Sequence, residues 1–159
     1  MVEGLEDEFP KVFPEFEDAV EFRGQLLAGD RTGFADFLAV NAAANNRAAR
    51  QSVEELERTT EDPSLAYFVA YAAGRPVASA GLQLAPRRAF AGLYSGGTVP
   101  DYRGRGAYRA LVAARAQEAR RRGYRYLWVD ARETSRPILE RLGFQALATI
   151  RGWTIAPGG

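Results

Sequence analysis

Apolar residues recur at helical spacing in the segment that follows the acidic N-terminus. Phe34, Phe37, Leu38 and Val40 follow Thr32, a residue suited to capping, and predict a helix over residues 33–46. Ser52 followed by Glu55 has the pattern of a capping box and predicts a second, short helix ending near Thr60.

The middle of the chain changes to the pattern of strands. Apolar, β-prone stretches are separated by the turn sequences Gly74-Arg75-Pro76 and Pro86-Arg87-Arg88. The predicted strands are Tyr67–Ala73, Val77–Leu84 and Phe90–Thr98. Short turns between successive strands predict an antiparallel meander.

Helix and strand then alternate to the end of the chain. The predicted elements are a helix over Gly104–Arg122, a strand over Tyr124–Val129, a short helix from Thr134 or Ser135 to Leu142, and one or two strands within Phe144–Ile155. Glycines at 123 and 143 suit the ends of the two helices. The order predicts an α/β (α+β) fold in which helices flank a mixed, mostly antiparallel sheet.

The N-terminal segment differs from the rest in composition. Residues 1–31 are rich in acids and interrupted by Pro10 and Pro14, so they are predicted to precede a domain over residues 32–159. A short helix or strand is expected near Asp18–Leu27.

The amino-acid composition excludes several common kinds of catalytic and metal-binding site. The chain has no cysteine and no histidine, which excludes disulfides, thiolate nucleophiles and histidine-based catalysis, and no metal is expected. No apolar run approaches the roughly 20 residues that span a bilayer. A formal charge of +1 and 47% hydrophobic residues are typical of a soluble, globular protein, and we expect no membrane and a cytoplasmic location.

A glycine-rich turn is predicted between the third meander strand and the long helix. The first amides of a helix lack internal acceptors, and Gly104 and Gly106 would let an anion approach them, with Arg103 and Arg105 adding charge. The alternative is a turn that uses glycine only for sharpness. A dinucleotide-binding loop fits less well, because the glycine spacing differs and an antiparallel meander precedes it.

Two segments carry a family resemblance. Val99-Pro100-Asp101-Tyr102-Arg103-Gly104-Arg105-Gly106 with Leu111 is similar to motif A of the GNAT acetyltransferase superfamily, and Leu139-Glu140-Arg141-Leu142-Gly143-Phe144 resembles its motif B. The predicted order of elements is also that of this family. The resemblance implies a GNAT acyl-CoA N-acyltransferase fold, with a splay between the fourth and fifth strands and a bulge at Gly96-Gly97.

The same resemblance implies acetyl-CoA as co-substrate and assigns residues to it. Backbone groups of Gly97, Thr98 and Val99 would bind the pantetheine arm. The pyrophosphate would lie on the loop and helix start formed by Arg103, Gly104, Arg105, Gly106, Ala107 and Tyr108.

Several positions depart from the family pattern. Tyr108 stands at a motif A position that the family fills with a small residue. Leu139 stands where the family often has a tyrosine that protonates the departing thiolate. Arg132 stands where the family commonly has an asparagine, at the entry to the motif B helix. The strand over Phe90–Thr98 lacks the glutamate that acts as general base in many members. Substitute catalytic residues are therefore sought among polar side chains predicted near the cleft between the splayed fourth and fifth strands. These are Tyr94, Ser95, Asp130 and Glu133. The alternative for each is a role in packing, in helix capping or at the solvated surface.

The leading hypothesis is direct transfer of an acetyl group from acetyl-CoA to an unidentified amine, in a ternary complex. The alternative is an acyl-CoA-binding module of weak or absent activity, such as one half of a tandem GNAT protein. Nucleic-acid binding is not expected, because the arginines do not cluster with aromatic residues. A homodimer is left open.

Overall fold

Five strands form one mixed sheet in the computed structural model, which describes residues 20–151 and their side chains from residue 25 onward. The strands lie in chain order; the first four are antiparallel, and the fifth is parallel to the fourth. The elements are β1 (Val20–Gln25), α1 (Arg31–Asn45), α2 (Val53–Arg58), β2 (Leu65–Ala72), β3 (Arg75–Gln83), β4 (Phe90–Thr98), α3 (Ala107–Arg121), β5 (Tyr126–Val129) and α4 (Arg136–Arg141), with short 3₁₀ turns at Thr59–Glu61 and Pro100–Tyr102. The predicted fold class is confirmed.

Helices cover both faces of this sheet. On one face, Phe34 and Phe37 of α1 and Leu56 of α2 pack against Tyr67 of β2. The opposite face is covered by α3, whose Leu111 is fully buried in the main core. We call these the α1–α2 face and the α3 face.

The N-terminal capping of α1 differs from the prediction. Asp30 caps the helix, its Oδ1 accepting a hydrogen bond from the Gly33 amide at 2.9 Å. Thr32 lies inside the helix, because α1 already begins at Arg31. The capping box of α2 is confirmed: the Glu55 amide donates to Ser52 Oγ at 3.1 Å, and the Ser52 amide donates to Glu55 Oε2 at 2.8 Å.

Three boundaries also differ. Strand β1 pairs with β2, although it falls inside the segment predicted to precede the domain. Helix α3 begins after Gly104 and Gly106, because their φ angles of 78° and 87° are not helical. Residues 144–151 form neither helix nor strand, contrary to the predicted strand, whose remaining positions lie outside the described residues. Within residues 20–151 no helix is long and apolar enough to cross a bilayer.

Candidate functional site

A bulge interrupts β4 near its C-terminal end. Ser79 pairs with Gly97 and Gly81 pairs with Tyr94, so two residues of β4 stand opposite one residue of β3. The extra positions are Ser95 and Gly96, and Ser95 has a φ of 50° in the left-handed region. The bulge therefore lies one residue before the predicted Gly96-Gly97, and a serine adopts its strained conformation.

Beyond this bulge β4 has no strand on its outer side in the described part of the chain. Pairing between β4 and β5 runs from Phe90 opposite Tyr126 to Leu93 opposite Val129, where β5 ends. Strand β4 continues to Thr98, paired only with β3. This leaves an open edge beside the bulge, in agreement with the predicted splay between the fourth and fifth strands.

The turn after β4 presents free amides. Among the described residues, none of the backbone N–H groups from Gly104 to Arg109 donates to a backbone or side-chain acceptor, and α3 has no side-chain cap. These groups lie at the positive end of a 15-residue helix. Gly104 has a positive φ and open space where a Cβ would lie, so its glycine is required by backbone conformation rather than by contact. The arrangement suits an anion with several oxygens.

The two loop arginines point in different directions. Arg103 turns back toward α1: its Nη2 donates to the Ala44 carbonyl at 3.0 Å and its Nε to the Thr98 carbonyl at 3.3 Å. Arg105 is exposed, and its guanidinium lies 5.0 Å from the centre of the Tyr102 ring. The Arg103 side chain thus joins the loop to β4 and α1, while that of Arg105 stays on the surface of the loop.

The predicted pantetheine segment lies directly after the bulge. A Cβ on Gly97 would lie 2.7 Å from the Ala44 Cβ, so only glycine permits α1 to pack this closely there. Thr98 lies partly buried at the end of β4, and the Val99 amide donates to the Val77 carbonyl at 2.9 Å. The chain therefore passes directly from the bulge through this segment to the loop.

The predicted catalytic residues are dispersed. The ring of Tyr94 lies over Gly81 on the α1–α2 face, and its buried hydroxyl has no hydrogen-bond partner in the described structure. Burial, with a further contribution from Tyr67, raises the pKa of Tyr94. Ser95 is exposed at the bulge, and Asp130 is exposed directly after β5. Only the last two lie at the open edge.

Tyr108 and Leu139, the two departures from the family pattern, both contribute to the core on the α3 face. Leu139 is buried, with 2% of its surface exposed. Tyr108 is half-buried, and a Cβ on Gly96 would lie 3.2 Å from its Cε2, so its ring supports the bulge. No group of three side chains able to ligate a metal occurs within residues 20–151.

The last turn of α1 supplies polar groups that the sequence analysis missed. Asn41 Nδ2 donates to the carbonyl of Ser95 at 3.1 Å. Asn45 Nδ2 donates to the Asn41 carbonyl at 2.8 Å, while its Oδ1 accepts from Arg132 Nη1 at 3.3 Å. In the sequence, these two asparagines at the C-terminal end of the predicted helix were the available signal for this contact. They were not recognised because nothing local shows which strand this turn contacts.

Arg115 was also missed. It is 1% exposed, on the inner side of α3, and its guanidinium donates to the Gly81 and Leu111 carbonyls. A single arginine among alanines on an apolar helix face was the signal.

A family model described as the acetyltransferase (GNAT) family matches residues 34–144. No curated protein is significantly similar to this chain in sequence. The matched span begins in α1 and ends just after α4, so it contains the bulge, the open edge of β4 and the amide-rich turn.

Solved structures share the fold. A Trypanosoma brucei acetyltransferase is 24% identical with a TM-score of 0.70, covering 86% of this chain and 100% of that one. A ribosomal-protein-alanine N-acetyltransferase from Brucella melitensis is 23% identical with a TM-score of 0.63, covering 88% of this chain and 100% of that one. Aminoglycoside N-acetyltransferase AAC(6')-Iy, in complex with CoA, is 16% identical with a TM-score of 0.69, covering 90% and 98%.

Proposed function

Because this chain belongs to the GNAT acetyltransferase family, we propose that it binds acetyl-CoA beside the β4 bulge and transfers the acetyl group to an amine. The observation that carries the proposal is the run of unpaired amides from Gly104 to Arg109, which follows the bulge by one short turn. An anion-binding helix end suits the pyrophosphate of an acyl-CoA, and an open strand edge suits its pantetheine arm.

The proposed roles follow the chain. Amides at Arg105 to Tyr108 bind the pyrophosphate, since they lie at the positive end of α3. Backbone groups of Gly97 and Thr98 bind the pantetheine arm at the free edge of β4. Val99 is left out of this role, because its amide donates to the Val77 carbonyl at 2.9 Å and its carbonyl accepts from the Tyr102 amide at 3.0 Å. The guanidinium of Arg103 holds this turn against α1 through the Ala44 carbonyl, so its contribution to binding is to fix the turn.

The proposed chemistry is direct attack in a ternary complex. The neutral amine forms a bond to the thioester carbon, the C–S bond breaks, the thiolate leaves and is protonated, and the new amide nitrogen loses a proton. Bringing the two reactants together supplies much of the rate, because a correctly oriented pair reacts at a high effective concentration. Ser95 and Asp130 are the proposed polar groups near the acceptor, since both are exposed at the open edge.

We assign Tyr94 a packing role instead. Its ring covers Gly81, and its hydroxyl is buried on the α1–α2 face near Tyr67 rather than at the edge of β4. A phenol whose pKa is raised by burial is a poor donor to a departing thiolate, since proton transfer favours a pKa near the working pH.

The second candidate function is an acyl-CoA-binding module with little turnover. It is favoured by the buried Leu139 at the position where the family often has a tyrosine, and by the absence of any acid on β4. Two of the similar structures are named for their acceptors, ribosomal-protein alanine in one and an aminoglycoside in the other. At identities below a quarter, these acceptors carry no assignment to this chain.

A pair of glycine variants tests the CoA loop. Gly104 and Gly123 have φ angles of 78° and 85°, and both have open space where a Cβ would lie. Alanine at either position costs about 1 kcal/mol of backbone energy, but only Gly104 belongs to the proposed pyrophosphate turn. We expect Gly104→Ala to raise the Kd for CoA about tenfold by calorimetry and Gly123→Ala to change it less than about twofold.

Turnover is measured separately, as free thiol released from acetyl-CoA across a panel of primary amines. Release that depends on the amine supports the transferase, whereas CoA binding without release on any amine favours the binding module. Equal CoA affinities in the two glycine variants would refute the loop assignment.

A further inference from the structure

Arg115 is a buried cation without a carboxylate partner among residues 20–151. It is the largest fully buried side chain among the described residues. Its Nε donates to the Leu111 carbonyl at 2.9 Å, its Nη1 donates to the Gly81 carbonyl at 3.1 Å, and its Nη2 has no partner there. Its main electrostatic neighbours are the phenols of Tyr108 and Tyr94. A full positive charge is therefore surrounded by neutral groups.

Stability does not account for this arginine. Burial lowers the pKa of Arg115 to about 10, so it remains protonated at neutral pH and its desolvation is not relieved by loss of the proton. The desolvation of a buried charge is unfavourable, and a well-packed apolar side chain often stabilises such a site better. A role in positioning is the alternative, and the contacts of the guanidinium show what it positions.

Those contacts lie behind the β4 bulge. Gly81 pairs with Tyr94, the residue immediately before the bulge. A Cβ on Gly96, inside the bulge, would lie 3.8 Å from Arg115 Nη2 and 4.0 Å from Nη1. From the other face, Asn41 holds the carbonyl of Ser95. The side chain of Asn41 thus holds the bulge directly, whereas the Arg115 guanidinium lies beside Gly96 and holds the neighbouring strand at Gly81.

We infer that Arg115 is a positioning residue for acetyl transfer, holding the bulge and through it the reacting end of the thioester. This inference rests on the function proposed above for the same cleft. In that proposal the thioester lies beside the bulge, whereas the amides of the α3 N-terminus bind the pyrophosphate, a separate part of the cofactor. Loss of Arg115 should therefore slow the reaction while leaving CoA affinity nearly unchanged.

The test compares Arg115→Met and Arg115→Lys with the matched control Arg121→Met, an exposed arginine on the same helix that pairs with Glu118. We expect kcat to fall about 10- to 100-fold in Arg115→Met, because small displacements of reacting groups have effects of this size. Arg115→Lys should recover part of the loss, since an ammonium can still donate to the Gly81 carbonyl. The Kd for CoA should change less than about threefold in all three variants, and Arg121→Met should keep its kcat.

Folding is checked by thermal unfolding of each variant. An unchanged kcat in folded Arg115→Met, or a parallel loss of kcat and CoA affinity, would overturn the inference. So would failure of both Arg115 variants to fold, because the role would then be structural.

If the wild type binds CoA without turnover, the transferase proposal fails but the positioning role is still testable. Amide hydrogen exchange of residues 94–98 in the CoA complex then decides: faster exchange in Arg115→Met than in Arg121→Met supports it, and equal exchange overturns it.

Discussion

Two tyrosines on the α1–α2 face show how burial separates a packing role from a chemical one. The hydroxyl of Tyr67 hydrogen-bonds with Thr59 Oγ1 at 2.8 Å. The hydroxyl of Tyr94, whose ring centre lies 6.4 Å from that of Tyr67, is buried and has no hydrogen-bond partner in the described structure. A buried polar group without a partner loses its hydration without compensation. The Tyr94 hydroxyl thus adds nothing to stability through hydrogen bonding.

Removing each hydroxyl should have opposite consequences. We expect Tyr94→Phe to leave the free energy of unfolding unchanged or slightly raised, and to leave kcat within about twofold. Tyr67→Phe, the matched control, should lower the free energy of unfolding by about 1 kcal/mol, because it leaves Thr59 without this bond. Urea unfolding and thiol release measure the two effects. A tenfold loss of kcat in Tyr94→Phe would instead make Tyr94 catalytic.

At the scale of elements, the sequence predicts what depends on local pattern. Apolar spacing, capping residues and glycines at turns and helix ends predict the meander, α3, α4 and the capping box of α2. The structure confirms these elements. The glycine-rich turn is also local, because an anion-binding helix start needs only consecutive residues.

Features that depend on pairing between distant segments were not readable. Whether Ser95 or Gly96 carries the positive φ depends on the register between β3 and β4. The element expected near Asp18–Leu27 was left open as a helix or a strand, and only the pairing of β1 with β2 decides for the strand. The approach of Asn41 to Ser95 spans 54 positions of sequence. The candidate site was therefore predictable at the loop, but not at its supports from α1 and α3.

The N-terminus of α1 provides a test at this scale. Asp30 accepts the hydrogen bond from Gly33, whereas Thr32 is exposed inside the first turn. We expect Asp30→Ala to lower the free energy of unfolding by about 1 kcal/mol, as loss of a helix cap usually does. Thr32→Ala should change it by less than about 0.5 kcal/mol, and urea unfolding compares the two. A larger effect at Thr32 would contradict the assigned cap.

At the scale of the whole molecule, the C-terminal end of α3 joins distant parts of the chain. Glu118 accepts hydrogen bonds from Arg121 at 2.7 and 2.8 Å and from Arg122 Nε at 2.6 Å. Arg122 also donates to Gln25 Oε1 at 2.7 Å and to the Pro63 carbonyl at 2.8 Å. The carboxylate of Glu118 thereby orients the arginine that connects α3 to the end of β1 and to the segment before β2.

This arrangement predicts a dependence of stability on pH. The hydrogen bonds from Arg121 and then Arg122 lower the pKa of Glu118 below its ordinary value of 4.5. A carboxyl group with a lowered pKa stabilises the folded state above its unfolded pKa, and this contribution is lost as the pH falls through the folded pKa. Glu118→Gln should therefore lower the free energy of unfolding by about 1 kcal/mol at pH 7, a shift in Tm of about 2–4 °C.

The difference between Glu118→Gln and the wild type should shrink as the pH falls from 4.5 through the lowered folded pKa, because the Glu118 carboxyl becomes neutral first in the unfolded state and then in the folded state. Glu140→Gln is the matched control: Glu140 pairs with Arg136 within α4, both side chains are largely exposed, and its loss should cost less than about 0.5 kcal/mol at any pH. Thermal unfolding across the pH range compares the three proteins. A Tm difference for Glu118→Gln that persists unchanged at about pH 3 would show that its charge does not hold Arg122 between α3 and β1.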